Sequence, residues 1–367
     1  TIGSGRNYTI GTSGSYIIGY SPNAPANPDL KWEQTSQTNI GFDATIFNNV
    51  NVTFEWFKKA TKDILQNPRI PGYVGAISNP AANIADMENT GVELELGFRK
   101  RLGQVDFSVN GNVSYIKNEV TNLGNGVQYL SGGASFQGAP PITRTQVGQP
   151  IGSFFGYVNE GIFQTQEEVD SHVSSGGKKI QPNAKPGDFK WADLNGDGVI
   201  TETDRTFIGN PTPKWNYGLT LNAAYKGFDV VVFGQGVAGN QIFQGLRRLD
   251  IANANWQTDA LDRWTGPGTS TTFPRIVNGD PNKNFQNPSS FYLEKGDFFR
   301  LKTLQIGYSL PTSIISKVAM KKARVYVMSQ NLFTLTKYTG YDPEIGGSVL
   351  SIDKGIYPQA RSFMVGL

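Results

Sequence analysis

Alternation of apolar and polar residues with a period of two is the feature that most constrains this sequence. It places successive side chains on opposite faces of a β-strand. The pattern recurs in the segments Ile40–Ile46, Val50–Trp56, Val105–Tyr115 and Trp215–Tyr225. Their polar faces carry small and amide side chains, with few of the Lys and Glu residues of a water-facing sheet. The sequence therefore predicts long strands with one apolar and one weakly polar face.

Two kinds of all-β fold fit such alternation, a soluble β-sandwich and a membrane β-barrel. The alternating segments are close to the roughly 9–11 residues that cross a bilayer as a tilted strand. Their apolar faces tend to end in aromatic residues, such as Trp56, Tyr115 and Tyr225, as the girdles of membrane barrels do. The pattern favours an all-β, antiparallel transmembrane β-barrel.

The predicted connections alternate between short and long. Short turns are predicted at Asn48–Asn49, Leu102–Gln104 and Lys226–Gly227, and a longer turn with one or two helical turns at Pro311–Lys322. Long segments rich in Gly, Pro and Asn are predicted at Gln66–Asn89, Thr121–Pro213 and Asn240–Lys295. Outer-membrane barrels combine short periplasmic turns with long extracellular loops, whereas a sandwich has no reason to keep this asymmetry.

The pattern gives about nine or ten strands, two of which are less regular. Both faces of Phe228–Gln235 are apolar, and the alternation in Phe299–Leu310 changes phase near Lys302–Thr303, which predicts a β-bulge. A barrel with such large loops is usually wide, and about ten strands do not close a wide barrel. The chain is therefore expected to supply only part of one.

Charge and cysteine content exclude several other classes of protein. The 367 residues include 33 Lys and Arg against 30 Asp and Glu, without a clustered basic face, so nucleic-acid binding is not expected. The absence of cysteine and the single histidine exclude a disulfide framework and make a zinc site or a histidine-based triad unexpected. No apolar run approaches the roughly 20 residues of a transmembrane helix. No catalytic motif is recognisable, and we expect no enzyme.

One segment, Asp193–Asp204, has the ligand spacing of a calcium loop. Oxygen-bearing side chains fall at the first, third, fifth and twelfth positions of the EF-hand template, and a backbone carbonyl at the seventh: Asp193, Asn195, Asp197, Asp204 and Val199. Gly198 stands at the sharp turn. Asp204 replaces the usual Glu, and no periodic helices flank the loop. The sequence predicts a static, structural Ca²⁺ site, with Mg²⁺ as the alternative ion and a metal-free turn as the other interpretation.

Other candidate residues are less specific. His172, the only histidine, lies in a Ser/Gly-rich stretch and is expected to be exposed to solvent. Four aromatic residues of Asn240–Lys295 could stack on sugar rings or simply pack the loop: Trp256, Trp264, Phe273 and Tyr292. The sequence leaves both interpretations open.

Six segments in a fixed order carry a family resemblance. They are NPDLKWEQTSQTNIGFDATIFNN (Asn27–Asn49), NTGVELELGFR (Asn89–Arg99), PGDFKWADLNGDGVITETDRTFIGNPTPKWNYGLTL (Pro186–Leu221), FYLEKGDFFRLKTLQIGYSLP (Phe291–Pro311), ARVYVMSQNLFTLTKYTGYDPE (Ala323–Glu344) and YPQARSFMVGL (Tyr357–Leu367). These segments resemble the SusC-like TonB-dependent outer-membrane transporters of Gram-negative bacteria. The resemblance is spread over most of the chain.

The resemblance implies a plugged, 22-stranded barrel of which residues 1–367 are the C-terminal part. The plug domain, the TonB-contacting box, the N-terminal barrel strands and the last few residues are then expected to lie outside this chain. Residues 121–213 would form a long extracellular loop that contains the calcium-like motif.

The resemblance also implies a function. Such transporters import oligosaccharides, or in some members oligopeptides, with energy from TonB and with a SusD-like surface lipoprotein as a lid. Membrane lipid surrounds the barrel, which spans the outer membrane. Two alternatives remain open at this point: a passive or structural outer-membrane barrel, and a soluble β-rich carbohydrate-binding protein.

Overall fold

The structure is a computed structural model, and long antiparallel strands are its main elements. It describes residues 24–67, 78–124, 126–132, 140–248, 254–318, 320–345 and 351–367, with shorter stretches at 2–4, 7–9, 12, 14–22, 73 and 251. Two small strand pairs precede the large sheet: Ile2–Ser4 with Tyr20–Pro22, and Tyr8–Thr9 with Tyr16–Ile17.

Nine strands form one large sheet. They are β1 (Gln34–Ile46), β2 (Val50–Gln66), β3 (Ala82–Leu102), β4 (Val105–Leu123), β5 (Trp215–Tyr225), β6 (Phe228–Ala238), β7 (Phe298–Ser309), β8 (Arg324–Thr336) and β9 (Ser362–Gly366). Each strand pairs antiparallel with its neighbour in the chain, so the spatial order is the chain order. Within the described residues the edge strands β1 and β9 do not pair with each other. The all-β, antiparallel class, the strand count and the partial barrel are confirmed.

The register of the sheet sorts its side chains into two faces. One row of directly opposed residues runs across six strands and is wholly apolar: Val50, Phe98, Val109, Leu221, Val232 and Leu304. The neighbouring row is mostly polar or glycine: Asn51, Gly97, Asn110, Thr220, Phe233 and Thr303. We call these the apolar face and the polar face. Several apolar-face side chains, including Leu96 and Ile306, remain exposed, which marks this face as a surface for contact with lipid.

The predicted β-bulge lies where the sequence changes phase. Phe233 of β6 pairs with Thr303 of β7, but the next residue, Gly234, pairs with Leu301, so Lys302 is an extra residue on β7. One sequence prediction is wrong here: Gln66–Asn89 is not one long loop. β3 begins at Ala82, because its first residues keep ladder pairing with β2 although they do not alternate. The connection is therefore only residues 67–81.

The two ends of the sheet differ in their connections. At one end, the short-turn end, the strands are joined by residues 47–49, 103–104, 226–227 and 310–323. The last of these turns contains a single helical turn, Thr312–Ile315, continued by a 3₁₀ segment, Ser316–Val318. At the other end, the long-loop end, the connections are residues 67–81, 124–214, 239–297 and 337–361. None of the helices in the described part of the chain has the length and apolarity to cross a membrane.

The long connections fold into small sheets of their own. A four-stranded sheet contains Leu130–Gly132, Thr143–Thr145, Ser153–Gly156 and Thr206–Gly209. A second pair joins Asn159–Ile162 to Phe189–Trp191, and a three-stranded sheet joins Gln241–Gln244 to Leu293–Lys295 and, in parallel, to Ile352–Asp353. One six-residue helix, Gln166–Ser171, is capped by the Thr165 side chain. The main buried clusters of the molecule lie in these connections.

Gly236 of β6 is required where the strands approach most closely. The Tyr217 hydroxyl passes this position and donates a 2.9 Å hydrogen bond to the Phe298 carbonyl. A Cβ on Gly236 would lie 2.2 Å from that carbonyl oxygen and 2.7 Å from the tyrosine ring. No side chain fits there without moving the ring or the strand.

We predict that Gly236→Ala lowers the stability of the barrel wall by about 1–3 kcal/mol, because overpacking forces neighbouring groups apart. The measurement is the guanidinium midpoint of the purified full-length protein in detergent. Gly111→Ala is the matched control, since the nearest atom to its Cβ would be 3.7 Å away. Equal midpoints for the two variants would contradict the prediction.

Candidate functional site: the long-loop layer

The described residues of 124–214, 239–297 and 337–361 pack together at the long-loop end, and we call them the long-loop layer. One apolar cluster takes residues from three of the connections: Ile142, Phe154, Phe243, Tyr292 and Ile352. A second is built on Tyr157, Ile162, Phe189 and Trp191. The layer therefore has its own hydrophobic core above the barrel wall, and its polar groups are held by that core.

A buried ion pair joins the first of these connections to the second. Asp188 is 0% exposed, and its carboxylate accepts hydrogen bonds from Arg275 Nε at 2.7 Å and Nη2 at 2.9 Å. Asn284 Nδ2 and the Lys185 backbone N–H also donate to it, each at 2.9 Å. The two-point contact with Arg275 fixes both distance and orientation.

Buried amides extend this cross-link. The Gln181 side chain donates to the Phe189 carbonyl and to Asn282 Oδ1, each at 2.9 Å, and accepts from the Trp191 N–H at 2.8 Å. The Trp191 indole N–H donates to the Asn282 carbonyl at 3.1 Å. Each of these amides has partners on both its oxygen and its nitrogen, so the network is satisfied and rigid.

Asp280 closes a turn next to this network. Its carboxylate accepts the backbone N–H groups of Asn284 and Phe285, both at 2.8 Å. Burial raises the pKa of Asp280, and the two amide donors offset only part of that rise. The turn is therefore held by hydrogen bonds to a buried carboxylate.

A second buried charge cluster fastens the connection 337–361 to the barrel wall. Arg300 of β7 is 3% exposed and donates to Asp342 at 2.5 Å, to Glu344 at 2.6 Å and to the Thr334 hydroxyl at 2.8 Å. Lys302, the bulge residue, reaches Glu344 at 2.7 Å. Burial alone would raise the pKa of Asp342, but backbone donors and Arg300 lower it overall.

The predicted calcium loop forms a tight turn at the surface of the layer. Asp193 accepts the N–H groups of Gly196 and Gly198, at 2.9 and 2.8 Å. Asn195 accepts the N–H of Asp197, and Asp197 that of Val199, both at 2.9 Å. The side chains of the first three predicted ligands thus come together within one turn, and each oxygen keeps a second lone pair.

Asp204 differs from the other predicted ligands. It is 0% exposed, and its two oxygens accept the N–H groups of Leu194 at 3.0 Å and Thr201 at 2.7 Å. It also completes a capping box with Thr201. Among the described residues no three His, Cys, Asp or Glu side chains converge as metal ligands usually do. The donor set is all oxygen and fits a hard cation, with Asp204 as the member already engaged in closing the turn.

A cleft of about 380 Å³ opens in the second connection. Its wall includes the residues Gln244, Arg247, Trp256, Asp259, Asp262 and Thr339. The Arg247 guanidinium lies 3.7 Å from the centre of the Trp256 ring, so its charge is held over an aromatic face. Asp259 and Asp262 are exposed at the rim. The cleft offers an aromatic surface beside carboxylates, an amide and a cation, which can bind a polar oligomer.

The structure shows different surroundings for the four loop aromatic residues, for which the sequence allowed either ligand stacking or loop packing. Phe273 and Tyr292 are buried in the packing of the layer, and the Trp264 indole N–H donates to Gln164 at 3.1 Å. Trp256, Phe273 and Tyr292 line the cleft, and of these three only Trp256 is not buried. The prediction that His172 is solvent-exposed is wrong, because its ring packs 5.4 Å from Phe163 and is partly buried, which lowers its pKa.

Sequence reasoning missed the buried polar cross-links. Asp188 and Asn284 are common surface residue types, and their partners lie about a hundred positions away in the chain. The only local signal is that Asp188 immediately precedes Phe189, in a stretch that the fold buries. A polar residue among buried aromatic residues requires a hydrogen-bond partner, but the sequence alone does not show which residue that partner is.

Comparison with known proteins decides the family. Residues 3–332 match the family model described as TonB dependent receptor-like, beta-barrel. The chain belongs to the TonB-dependent receptor β-barrel family. The barrels of this family are outer-membrane proteins of Gram-negative bacteria. The predicted resemblance to SusC-like transporters is also confirmed.

Individual relatives agree with this assignment. TonB-dependent receptor P3 of Formosa agariphila is 33% identical over 93% of this chain and 34% of its own length. TonB-dependent receptor SusC of Bacteroides thetaiotaomicron is 26% identical over 95% of this chain and 33% of its own. The structure of the RagAB peptide importer in its open-open state matches all of this chain and 37% of its own, with a TM-score of 0.76 and 25% identity. This TonB-dependent receptor barrel chain thus spans about a third of the length of these relatives.

We predict that Asp188→Ala loosens the long-loop layer while leaving the barrel wall intact. Removing one member of a buried pair costs about 3–5 kcal/mol, because the other charge remains buried. Hydrogen exchange should therefore rise in residues 181–191 and 275–287 and stay unchanged in β3 and β4.

The matched control for this prediction is Glu160→Gln. It breaks the exposed Lys190–Glu160 pair, which is 3.5 Å long and worth about 0–1 kcal/mol. Equal exchange in both variants would show that the Asp188 pair does not hold the layer.

Proposed function

We propose that this chain forms part of the wall and of the extracellular face of an outer-membrane importer for oligosaccharides or oligopeptides. The observation that carries the proposal is the long-loop layer, a rigid, cross-linked surface with a cleft at one end of a barrel wall. In outer-membrane barrels long loops face outward, so the cleft would face incoming cargo. The long-loop end is accordingly the extracellular end.

The proposal includes the partners that such an importer needs. A SusD-like surface lipoprotein would cover the long-loop end, and TonB would supply the energy through parts of the receptor outside this chain. Support comes from the similarity to SusC and to RagAB, the latter described as a peptide importer. A layer held by buried ion pairs presents a fixed shape to a lid, which lowers the entropic cost of docking.

The test of import uses the complete receptor in its native host. A strain that lacks the receptor should lose uptake of one labelled oligosaccharide or oligopeptide from a panel, and the wild-type gene should restore it. Asp259→Asn together with Asp262→Asn should weaken uptake at low cargo concentration by roughly tenfold, because two charge-assisted hydrogen bonds are lost.

Glu167→Gln is the matched control for the cleft, since this exposed carboxylate belongs to the helix Gln166–Ser171 and not to the cleft wall. Uptake in the control should equal wild type. A deletion strain that still takes up every member of the panel would refute import. A double Asn variant indistinguishable from the control would leave the cleft without a role in cargo binding and refute that part of the proposal.

We further propose that Asp193, Asn195, Asp197, Asp204 and the Val199 carbonyl hold a structural Ca²⁺ or Mg²⁺ ion. A hard divalent cation needs several oxygens from a short segment, and this turn supplies them. The hydrogen bonds of Asp193 and Asn195 already bend the backbone around the turn. An ion there would tighten the connection 124–214 without taking part in transport chemistry.

We predict that chelation loosens this connection in the wild-type receptor. Protease cleavage within residues 121–213 should rise several-fold in a chelator and fall again with added Ca²⁺. Asp193→Ala with Asp197→Ala should be cleaved readily in either condition, while assembly of the barrel stays normal. Asp170→Asn, an exposed carboxylate paired with Lys179, is the control. Cleavage that is the same with and without chelator would rule the ion out.

A further inference from the structure

Charged side chains at the short-turn end are sorted by face. The acidic residues at the strand ends all lie on the polar face, where each has a partner: Asp43 with Thr53, Asp106 with Arg101, and Asp229 with Arg324. Among the described strand residues, Lys100 is the only charged residue on the apolar face near this end, and it lies directly opposite Phe107. The surface that meets lipid is therefore positive at this end.

The turns at the same end repeat this bias. Residues 47–49, 103–104, 226–227 and 310–323 contain no Asp or Glu, but they contain Lys226, Lys317, Lys321 and Lys322. Within the described chain none of these lysines, nor Lys100, forms an ion pair. Five positive charges thus have no ion-pair partner among the residues that the structure describes.

Apolar and aromatic groups accompany these lysines. Phe228 and Tyr308 are in ring contact at 4.4 Å beside Tyr225, and the Lys226 ammonium lies 5.2 Å from the centre of the Tyr225 ring. In the turn 310–323, Ile314 is 55% and Met320 50% exposed. Aromatic rings at the level of lipid headgroups with lysines reaching past them are typical of a membrane interface.

The long-loop end of the apolar face shows the contrast. Three lysines of β2 and β4 lie there: Lys58, Lys62 and Lys117. Lys58 is paired with Glu88 at 2.8 Å and Lys117 with Glu119 at 2.6 Å, whereas Lys62 forms none of the ion pairs found in the described part of the chain. Glutamates therefore accompany the lysines at the long-loop end of the apolar face, whereas no acidic residue of the described strands lies on this face near the short-turn end.

We propose that the short-turn end binds the headgroups of anionic glycerophospholipids in the adjoining membrane leaflet. Lys100, Lys226 and the three lysines of the turn 310–323 would contact the phosphates, and Ile314 and Met320 would enter the acyl region. Each lysine near an anionic surface is worth about fivefold in partitioning. The inference depends on the membrane assignment of the family and not on import.

The test is native mass spectrometry of the complete receptor, exchanged into detergent micelles that contain phosphatidylglycerol or phosphatidylcholine. The wild type should retain phosphatidylglycerol at least tenfold more than phosphatidylcholine. A variant with Lys→Gln at Lys100, Lys226, Lys317, Lys321 and Lys322 should lose this preference. Added inorganic phosphate should not displace the lipid, since free phosphate lacks the acyl chains.

Lys58→Gln with Lys117→Gln is the matched control and should behave as wild type. Equal retention of the two lipids by wild type, or an unchanged preference in the five-lysine variant, would overturn the proposal. Displacement by inorganic phosphate would also overturn it in favour of a simple anion site. If the five-lysine variant fails to assemble, Lys321→Gln with Lys322→Gln tests the turn alone and should lower the preference several-fold.

Discussion

The structure depends on one constraint: a backbone in lipid has no water to satisfy its N–H and C=O groups. The nine strands meet it by pairing each strand with its neighbour in the chain. This pairing fixes the register, and the register in turn decides which residues face lipid. Positions such as Gly236, where no Cβ fits, follow from the same pairing, because the Tyr217 ring of one strand must pass over the next.

The long-loop layer is held in shape by side-chain contacts and not mainly by backbone pairing. Loops in water need no complete backbone pairing, so their shape must come from side chains. Here buried charges are joined across distant segments, Asp188 with Arg275 and Arg300 with Asp342. Such pairs add little net stability compared with apolar packing, but they tolerate only one arrangement of partners. If the proposed function is correct, a surface that matches a lid and a cargo would gain from that specificity.

Much of the fold could be predicted from the sequence. One face of each strand contacts lipid and the other does not, so apolar and polar residues alternate along the strand, and this pattern can be read from a short segment. β5 was predicted to the residue, and so was the phase change at Lys302. The start of β3 could not be predicted, since Ala82–Asn89 is held by ladder hydrogen bonds that leave no residue pattern. The cross-links of the layer were missed for a related reason: Asp188 and Arg275 meet only through the fold. The turn Asp193–Asp204 was recognisable because its contacts are all local.

The two ends of the barrel wall differ in how they neutralise charge. At the long-loop end several charges are paired within the protein, as in Lys58–Glu88 on the surface and Arg300–Asp342 in the interior. At the short-turn end acidic residues of the polar face are paired, but the lysines of the apolar face and turns form no ion pair within the described residues. An exposed lysine without an ion pair is solvated in water, and next to a membrane it is also attracted to anionic headgroups. The long-loop layer pairs its buried charges internally, whereas the lysines of the short-turn end would, on the proposal above, find their counter-charge in the headgroups of the membrane.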